Sequence, residues 1–439
     1  MRPGAVFVLG VVLFLPSMSA AETPAARITL ADAVRIASSQ SAGARLAGAR
    51  ATQAGQRAGQ ARAALLPSLA GTASTSRRTF NLKAQGFPLP PTTPDVIGPI
   101  DNVDARVRVT QTVFDVPSLQ RWQAAGLGAQ AGRADLEAAS EAAAANGALA
   151  WLRAARAGAR VDARRQDLLL ASELLRLARE QHAAGVSPAI DTTRASTQAA
   201  ASRADLLVAQ NLADRARLDL ARALGADPLA VAEPADSLSG ASAETGAPTE
   251  REAALAYART HRAELQSEQV RLRRARLERT ATSMERLPRL DAAADWGMSG
   301  QHSSDWQDTY SMAIGVSLPV FDGWRRESRI AEQGALVAEA EVRAHDAADQ
   351  VSAEVEAALL DLDSGHEQLS VAQERLRLAQ EEVDQAAERF RNGVAGNIEV
   401  INAQLSLLRA RDAEIDARFT VAAARVALAR AAGVARDIH

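Results

Sequence analysis

The chain has no cysteine, few aromatic residues and no strong excess of charge of either sign. Without cysteine it can form neither a disulfide scaffold nor an N-terminal lipid attachment through cysteine. Its net charge is −3, and acids and bases are interspersed, so it has no electrostatic footprint for nucleic acid. Beyond the amino terminus, no apolar run approaches the roughly 18 residues that a membrane-spanning helix needs. These absences exclude a disulfide-rich module, a nucleic-acid-binding protein and a membrane helix.

The amino-terminal segment, 1–21, has the pattern of a secretory signal peptide. Arg2 supplies a positive charge, residues 6–15 form a short apolar run, and Ser19-Ala20-Ala21 offers small residues for cleavage. We therefore expect an exported protein whose mature chain begins at Ala21 or Glu22.

The sequence contains an internal duplication. Residues 181–191 recur, with substitutions, as residues 389–399, and the same register continues without a gap to Gly225 and Gly433. Because the repeating unit is about half the chain, the pattern predicts two similar halves and not a solenoid of short repeats. We assign the first half to 22–225, an insert to 226–250, the second half to 251–433 and a tail to 434–439.

Most of the sequence has the composition of long helices, since alanine, arginine, leucine, glutamate and glutamine dominate it. Large apolar residues recur every seven positions in the second half: Val355, Leu362, Leu369, Leu376, Val383 and Phe390. This is the spacing of a coiled-coil seam, and a weaker version in the first half is interrupted by Arg164. The predicted helices are 30–64, 119–182, 189–224, 251–285, 325–390 and 397–432. The two long helices would each measure about 95 to 100 Å.

Two windows alternate apolar and polar residues with period two, which predicts strands. The alternation is strict in 103–110 and returns in 309–320. Most aromatic residues after the signal peptide lie between 80 and 122 or between 296 and 324, as the aromatic girdles of a membrane barrel would require. An ordinary half-buried sheet is the simpler interpretation, but this clustering favours membrane strands. The predicted strands are 68–80, 103–114, 290–300 and 309–321.

Four strands per chain cannot close a barrel, and open strand edges are not tolerated in lipid. The barrel must therefore be shared between chains. Two copies would supply eight strands and three copies twelve, and both numbers are even and closable. The residues alone leave the number of copies open.

The order of elements resembles that of the TolC-like outer membrane factors, also called outer membrane efflux proteins, over essentially the whole mature chain. Three features carry the resemblance: Phe114-Asp115 and Phe321-Asp322 before the long helices, Leu-Pro at 66–67 and 287–288 before the first strand of each half, and Gly-x-x-x-x-Ile-[Asp/Glu] in the turns that start at Gly185 and Gly393. Together these motifs are specific, whereas each one alone is weak.

The resemblance implies a mainly α-helical chain with transmembrane β-strands. In a homotrimer, four strands per chain would form a twelve-stranded β-barrel in outer membrane lipid, continued by a long periplasmic α-helical barrel. The assembly would be the exit duct of a tripartite efflux or type I secretion system in a Gram-negative cell. A periplasmic membrane-fusion adaptor and an inner-membrane pump of the RND, ABC or MFS type would open it.

The cargo stays open, because a drug, a metal or a secreted protein would use the same fold. The alternative function is that of a periplasmic coiled-coil adaptor or scaffold. Adaptors usually carry one helical hairpin between split β-domains, whereas this chain carries the set of helices and strands twice, which disfavours that alternative.

The resemblance also assigns roles to the two helix turns, which we name the first tip (185–191) and the second tip (393–399). It implies a pore constriction or gate at Glu399, Asn402 and Asp191, and adaptor contacts at Gly185, Val186, Gly393 and Val394. Asn402 stands where the family has a second acidic residue, and Ala395 stands where it has a basic latch. We therefore expect a less acidic constriction that lacks this latch. Simple helix turns, with Asp191 and Glu399 near helix N-termini, would explain the same residues without a gate.

No residue pattern indicates catalysis, a cofactor or a metal. Gly126, Gly128 and Gly132 approximate a dinucleotide-binding loop, but the third glycine is displaced and the segment lies in a predicted helix. Close helix packing is the better explanation. The six histidines lack the spacing of metal ligands. We therefore expect no enzymatic activity.

Overall fold

The computed structural model describes residues 26–82, 84, 94–227, 232–238, 240, 243, 246–302 and 305–439. The predicted signal peptide lies outside these ranges, as does part of the predicted insert. The elements, in chain order, are β1 (Ala26–Ile28), α1 (Leu30–Gln40), α2 (Ala42–Ala63), β2 (Ser68–Asn81), β3 (Val96–Phe114), α3 (Val116–Ala183), α4 (Ala189–Leu224), β4 (Ala232–Pro234), α5 (Arg251–His261), α6 (Ala263–Met284), β5 (Arg289–Gly300), β6 (Gln307–Ser317), α7 (Arg325–Arg391), α8 (Asn397–Ala432) and a final 3-10 turn (Ala435–Asp437).

Two long helices set the dimensions of the fold. Helix α3 has 68 residues and α7 has 67, so each is about 100 Å long, as the sequence predicted. Helix α3 packs against α2, α4, α6 and α8, and α7 packs against α6 and α8. Many of the buried residues along these contacts are alanine, which lets the helix axes approach closely. In the described ranges, no helix is both long enough and apolar enough to cross a membrane.

The prediction of single helices over 30–64 and 251–285 is wrong. The first breaks at Ser41 and the second at Arg262, and both residues have non-helical backbone angles. Ser41 then caps the next helix, because its hydroxyl oxygen accepts a hydrogen bond from the amide of Ala44 at 3.3 Å. The two breaks occupy equivalent places in the two halves.

The C-terminal end of another helix packs against each break. Helix α4 ends at Gly225, whose left-handed backbone (φ +72°) lies directly against the carbonyl of Gln40. At the second break, the buried Arg262 donates from Nη1 to the carbonyl oxygens of Arg430 (3.1 Å) and Ala431 (3.3 Å), which caps α8. Tertiary packing therefore interrupts these helices where the sequence contains no strong helix breaker.

Four strands form one antiparallel sheet in the order β2-β3-β5-β6. Val107 of β3 is paired with Trp296 of β5, which is paired in turn with Tyr310 of β6. One face of the sheet is apolar and exposed: Leu69, Val107, Val109, Trp296, Met298, Tyr310, Met312, Ile314 and Val316. The sheet does not close on itself, since β2 and β6 lie at its two edges. Strand β3 begins at Val96, before the predicted 103, and β6 ends at Ser317, before the predicted 321.

The opposite face of this sheet is polar. Arg106 donates from Nη1 to Asp295 at 2.8 Å and from Nε to Asp104 at 2.7 Å, and the hydroxyl of Ser311 donates to the second oxygen of Asp295 at 2.5 Å. A sheet with one exposed apolar face and one hydrogen-bonded polar face has the distribution that a water-filled membrane barrel requires.

A short parallel pair, β1 with β4, was not predicted. It lies beside the largest buried core, in which Trp151 of α3 is fully buried and donates from Nε1 to the carbonyl of Ile28 at 2.7 Å. Leu238 from the insert and Ile438 from the tail are buried in the same core. The amino-terminal segment, the described part of the insert and the tail thus gather around α3 and α8.

Candidate functional site

The two tips are built by the same backbone pattern. In the first tip, the amide of Val186 donates to the carbonyl of Gln181 at 2.9 Å, and in the second, the amide of Val394 donates to the carbonyl of Arg389 at 2.9 Å. Gly185 (φ +75°) and Gly393 (φ +66°) supply the left-handed residue that such helix ends need. The duplication seen in the sequence is therefore a duplication of turn geometry.

Apolar side chains project from both tips. Val186 is 68% exposed and Val394 is 69% exposed, and Ile190 and Ile398 are about half exposed. Exposed aliphatic residues that cluster at the end of a hairpin are typical of a contact surface. The predicted adaptor-contact residues thus lie at the surface of both turns.

The three predicted gate residues lie in two different environments. Glu399 and Asn402 are exposed, one helical turn apart on α8, whereas the carboxyl group of Asp191 is buried on α4. The Glu399 carboxylate pairs with Arg389, whose Nε lies 3.1 Å from Oε2. Asp191 has only a distant partner, with Arg194 Nη1 at 3.8 Å. The structure therefore exposes Glu399 and Asn402 on one side of α8 and buries the side chain of Asp191.

Two side chains connect the first tip to the second. Asn397 is fully buried, and its Nδ2 donates to the carbonyl oxygen of Asp191 at 2.7 Å. Gln181 donates from Nε2 to the carbonyl oxygen of Phe390 at 3.2 Å. The Oδ1 atom of Asn397 is buried without a hydrogen-bond partner in the described part of the chain. Sequence reasoning missed this contact, although Asn397 stands where the first half has Ala189.

An apolar core lies next to these hydrogen bonds and holds the two hairpins together. Its buried members come from all four helices of the hairpins: Leu174, Ala178, Ala195, Ala379, Val383, Phe390, Val400 and Leu407. Phe390 belongs both to this core and, through its carbonyl, to the bond with Gln181. The tips are therefore packed against one another by apolar contacts as well as hydrogen bonds.

Each long helix carries an arginine flanked by two glutamates toward its tip: Glu173, Arg176 and Glu180 on α3, and Glu374, Arg377 and Glu381 on α7. The hydrogen bond from Arg176 holds the pKa of Glu173 below its ordinary value, and Arg377 does the same for Glu374. Because each group is paired within its own helix, these charges support the helices and are not directed at a ligand.

No arrangement for chemistry accompanies the tips. Gly126, Gly128 and Gly132 all lie inside α3. Gly132 is close to Ala51 and Ala54 of α2, but no atom of another described element lies near Gly126, so close helix packing explains Gly132 and not Gly126. Among the described residues, no three or more histidine, aspartate or glutamate side chains are grouped so that they could hold a metal ion. What the described residues of the tips offer is an exposed apolar surface at the end of each hairpin.

The sequence profile described as outer membrane efflux protein matches residues 37–226 and 254–434, which together are most of the two predicted halves. No curated protein sequence is significantly similar to the chain.

Solved structures of similar fold come from several bacteria. The CmeC outer membrane channel of Campylobacter jejuni is 17% identical, with a TM-score of 0.81 over 98% of this chain and 94% of that one. The outer membrane protein VceC of Vibrio cholerae is 21% identical, with a TM-score of 0.77 over 92% of this chain and 96% of that one. The MtrE outer membrane channel of Neisseria gonorrhoeae, in its open state, is 18% identical, with a TM-score of 0.74 over 93% and 90%. Each likeness extends over nearly the whole chain, so the fold is the same from sheet to tips.

Proposed function

The chain belongs to the outer membrane efflux protein family, and from that premise we propose that it works as a passive exit duct whose wall several copies build together. The observation that carries this function is the unclosed sheet with its exposed apolar face, which continues into helices about 100 Å long. A sheet of this kind needs lipid on one face and further strands at both edges. The helices then reach far beyond the thickness of one bilayer.

Three copies are the proposed number. Strand β6 of one chain would pair with β2 of the next, and three chains would give a closed barrel of twelve strands. Eight strands from two copies would also close, but only family likeness, through the outer membrane channels of the same fold, favours three.

The helices offer a second joint between chains. In the part of the molecule nearer the tips, the four helices lie side by side in the order α4, α3, α8, α7. Helices α4 and α7 therefore flank the row at its two ends. Both flanking helices expose aliphatic residues on one face: Leu207 and Leu218 on α4, and Leu360, Val371 and Leu378 on α7. Packing α4 of one chain against α7 of the next would bury both stripes, as the closure of a helical tube requires.

A periplasmic adaptor and an inner-membrane pump are the partners that a passive duct of this family needs. We place the adaptor at Gly185, Val186, Gly393 and Val394, where both tips expose apolar side chains. The pump type, RND, ABC or MFS, follows from partners outside this chain. The adaptor function considered from the sequence finds no support in the family match or the structural likenesses.

The proposed gate is at the second tip. Glu399 and Asn402 are exposed on the same side of α8, and copies of them would face each other around a threefold axis. Asp191 takes part through its backbone, which accepts the bond from Asn397, and its buried carboxyl group is not part of the pore lining in this conformation.

Reconstitution tests the function directly. Protein purified from the outer membrane fraction should run as an assembly larger than one chain, should shift to one chain on heating, and should conduct ions in a planar bilayer. A mature chain that is monomeric and unattached in the periplasm, and that does not conduct, would refute the duct.

A further inference from the structure

Four arginines lie along one face of α3, at spacings of three, four and four residues: Arg153, Arg156, Arg160 and Arg164. They line a cavity of about 440 Å³ together with Asp205, Val208, Ala209 and Leu212 of α4 and Asp412 of α8. We call it the arginine cavity. It lies about halfway along α3, far from the tips, and no step of the proposed gate uses it.

The arginines are only partly neutralised inside the chain. Arg156 (2.6 Å) and Arg160 (2.9 Å) both contact the same oxygen of Asp416. Arg164 donates from Nη2 to Asp412 at 2.6 Å. Arg153 is exposed and makes no ion pair with any described residue. Arg164 also contacts Asp167, so three of the four guanidinium groups are paired and the positive charge of Arg153 is left over.

The neighbouring acids do not remove this excess. Asp167 accepts hydrogen bonds from Arg411 at 2.7 Å and from Arg164 at 3.1 Å. Its single negative charge is therefore shared between two arginines. Burial opposes the charge of Arg164, but its bonds to Asp412 and Asp167 outweigh that effect and keep its pKa above the ordinary value. Exposed Asp205 at the rim is the one further acid that lines the cavity. The cavity therefore keeps a positive charge.

The hydrogen bonding of the cavity wall is also incomplete. The Nε atom of Arg160 and the Oδ1 atom of Asp412 are buried and have no hydrogen-bond partner among the described residues. Opposite the charged wall, Val208 and Leu212 are exposed aliphatic side chains. The guanidinium of Arg156 lies over the ring of Phe419, 4.8 Å from its centroid. The cavity thus offers charge on one side and apolar surface on the other.

The arginine face points away from the side that carries the insert. Ala155 and Asp162, each two residues and so about half a helical turn from Arg153 and Arg160 respectively, line a separate groove with Pro234 and Leu238. In a duct, a segment packed on the wall must lie outside, because the passage has to stay open. The opposite face, with the arginines, then faces the passage; this step rests on the proposed function.

We propose that the arginine cavity binds amphipathic organic anions, in which a carboxylate or sulfonate group is attached to an apolar body, and that its copies form a cationic belt at the middle of the duct. Guanidinium groups bind such oxyanions through paired hydrogen bonds, and Val208 and Leu212 contact the apolar body. Because a narrow charged passage concentrates counter-ions, the belt favours anionic cargo over cationic cargo of the same shape.

The test uses naphthalene-1-sulfonate as the anionic probe and 1-naphthylmethylammonium as a cation with the same ring. Calorimetric titration of the purified assembly in detergent should detect binding of the sulfonate. The variant Arg153→Gln/Arg160→Gln should weaken that binding at least tenfold, and the ammonium probe should show no such dependence. The matched control is Arg165→Gln/Arg176→Gln, since these exposed arginines of α3 pair only with acids of α3 itself. The control should bind the sulfonate as the wild type does.

A second measurement separates charge from geometry. In bilayers with a KCl gradient, Arg153→Gln/Arg160→Gln should shift the reversal potential toward cation selectivity. Arg153→Lys/Arg160→Lys should keep the wild-type potential but still weaken sulfonate binding, because lysine keeps the charge without the planar fork. Equal sulfonate binding by wild type and the glutamine variant would overturn the anion site, even if the protein conducts. Loss of conduction alone, with binding intact, would count against the duct and leave the site standing.

Discussion

Asn397 shows what one residue does in this molecule, because its side chain is the most deeply buried polar contact between the two tips. Its position could be marked from the sequence, since the equivalent residue of the first half is Ala189. Its partner could not be predicted, because the Asp191 carbonyl reaches it only after the two hairpins have packed together. The same reason hid the arginine cavity. Arg164 was visible as an interruption of the heptad pattern, and Asp167 lies only one turn further along α3, but its second acid, Asp412, comes from α8.

The substitution Asn397→Ala should weaken the contact between the tips. It removes a buried donor and one of the hydrogen bonds that the carbonyl of Asp191 accepts, at a cost of about 0.5–1.5 kcal/mol. We expect a higher open probability in single-channel records. Asn211→Ala is the matched control, since Asn211 is exposed on α4 and lies about five helical turns from the first tip. If both variants gate like the wild type, Asn397 does not hold the tips closed.

The pair Arg389 and Glu399 should set the charge at the second tip. Glu399→Gln removes a carboxylate and leaves Arg389 without it, so the reversal potential in a salt gradient should move toward anion selectivity. Arg389→Gln/Glu399→Gln removes both charges and should restore a value close to the wild type. An unchanged potential in the single variant would contradict the assignment of Glu399 to the constriction.

At the scale of elements, the helices were more predictable than their interruptions. The limits of α4 and α8 follow from the matched positions of the two halves, and the ends of both helices carry a left-handed glycine. The breaks at Ser41 and Arg262 were not predictable, because each exists where another helix end is packed against it. Within 30–64 the serines at 38, 39 and 41 and Gly43 weaken the helix locally, but such residues also occur inside helices, so the long-range contact is needed to explain why it breaks at Ser41.

Gly225→Ala should test that contact. Alanine at φ +72° is strained by about 1 kcal/mol, and its Cβ would also overlap the carbonyl of Gln40. Gly185→Ala meets the same backbone strain at φ +75°, but no atom lies near its Cβ. We expect the temperature at which the purified assembly unfolds to fall more in Gly225→Ala than in Gly185→Ala. Equal shifts would mean that the close approach to Gln40 contributes nothing beyond backbone strain.

At the scale of the whole molecule, the sequence predicted that one chain is incomplete, and the reason is physical: four alternating strands leave two unpaired edges. The number of chains could not be predicted in the same way, because it depends on curvature and on the joints between copies. The exposed aliphatic residues on α4 and α7 identify which surfaces would meet in one of those joints. Leu207 and Leu218 are eleven residues apart, as are Leu360 and Val371, and the two helices run in opposite directions.

The absence of cysteine makes this joint testable by crosslinking. In Leu218→Cys/Leu360→Cys, oxidation should link neighbouring chains and give covalent species up to three chains on a non-reducing gel. The control is Leu218→Cys/Val342→Cys, because Val342 is also exposed on α7 but lies about 27 Å further along the helix. Crosslinks that stop at two chains would argue for a dimer, and equal crosslinking in both variants would remove the support for the α4 to α7 joint.

The unpaired edges of β2 and β6 also have a genetic consequence. If three chains close one barrel, each assembly has three joints at which β6 of one chain pairs with β2 of the next. A single chain whose edge strand cannot pair therefore prevents its whole assembly from closing. When wild-type and faulty subunits are made in equal amounts and mix freely, only about one assembly in eight contains none of the faulty chains. An allele with a damaged strand edge would therefore be dominant, whereas an allele that is not made at all would be recessive.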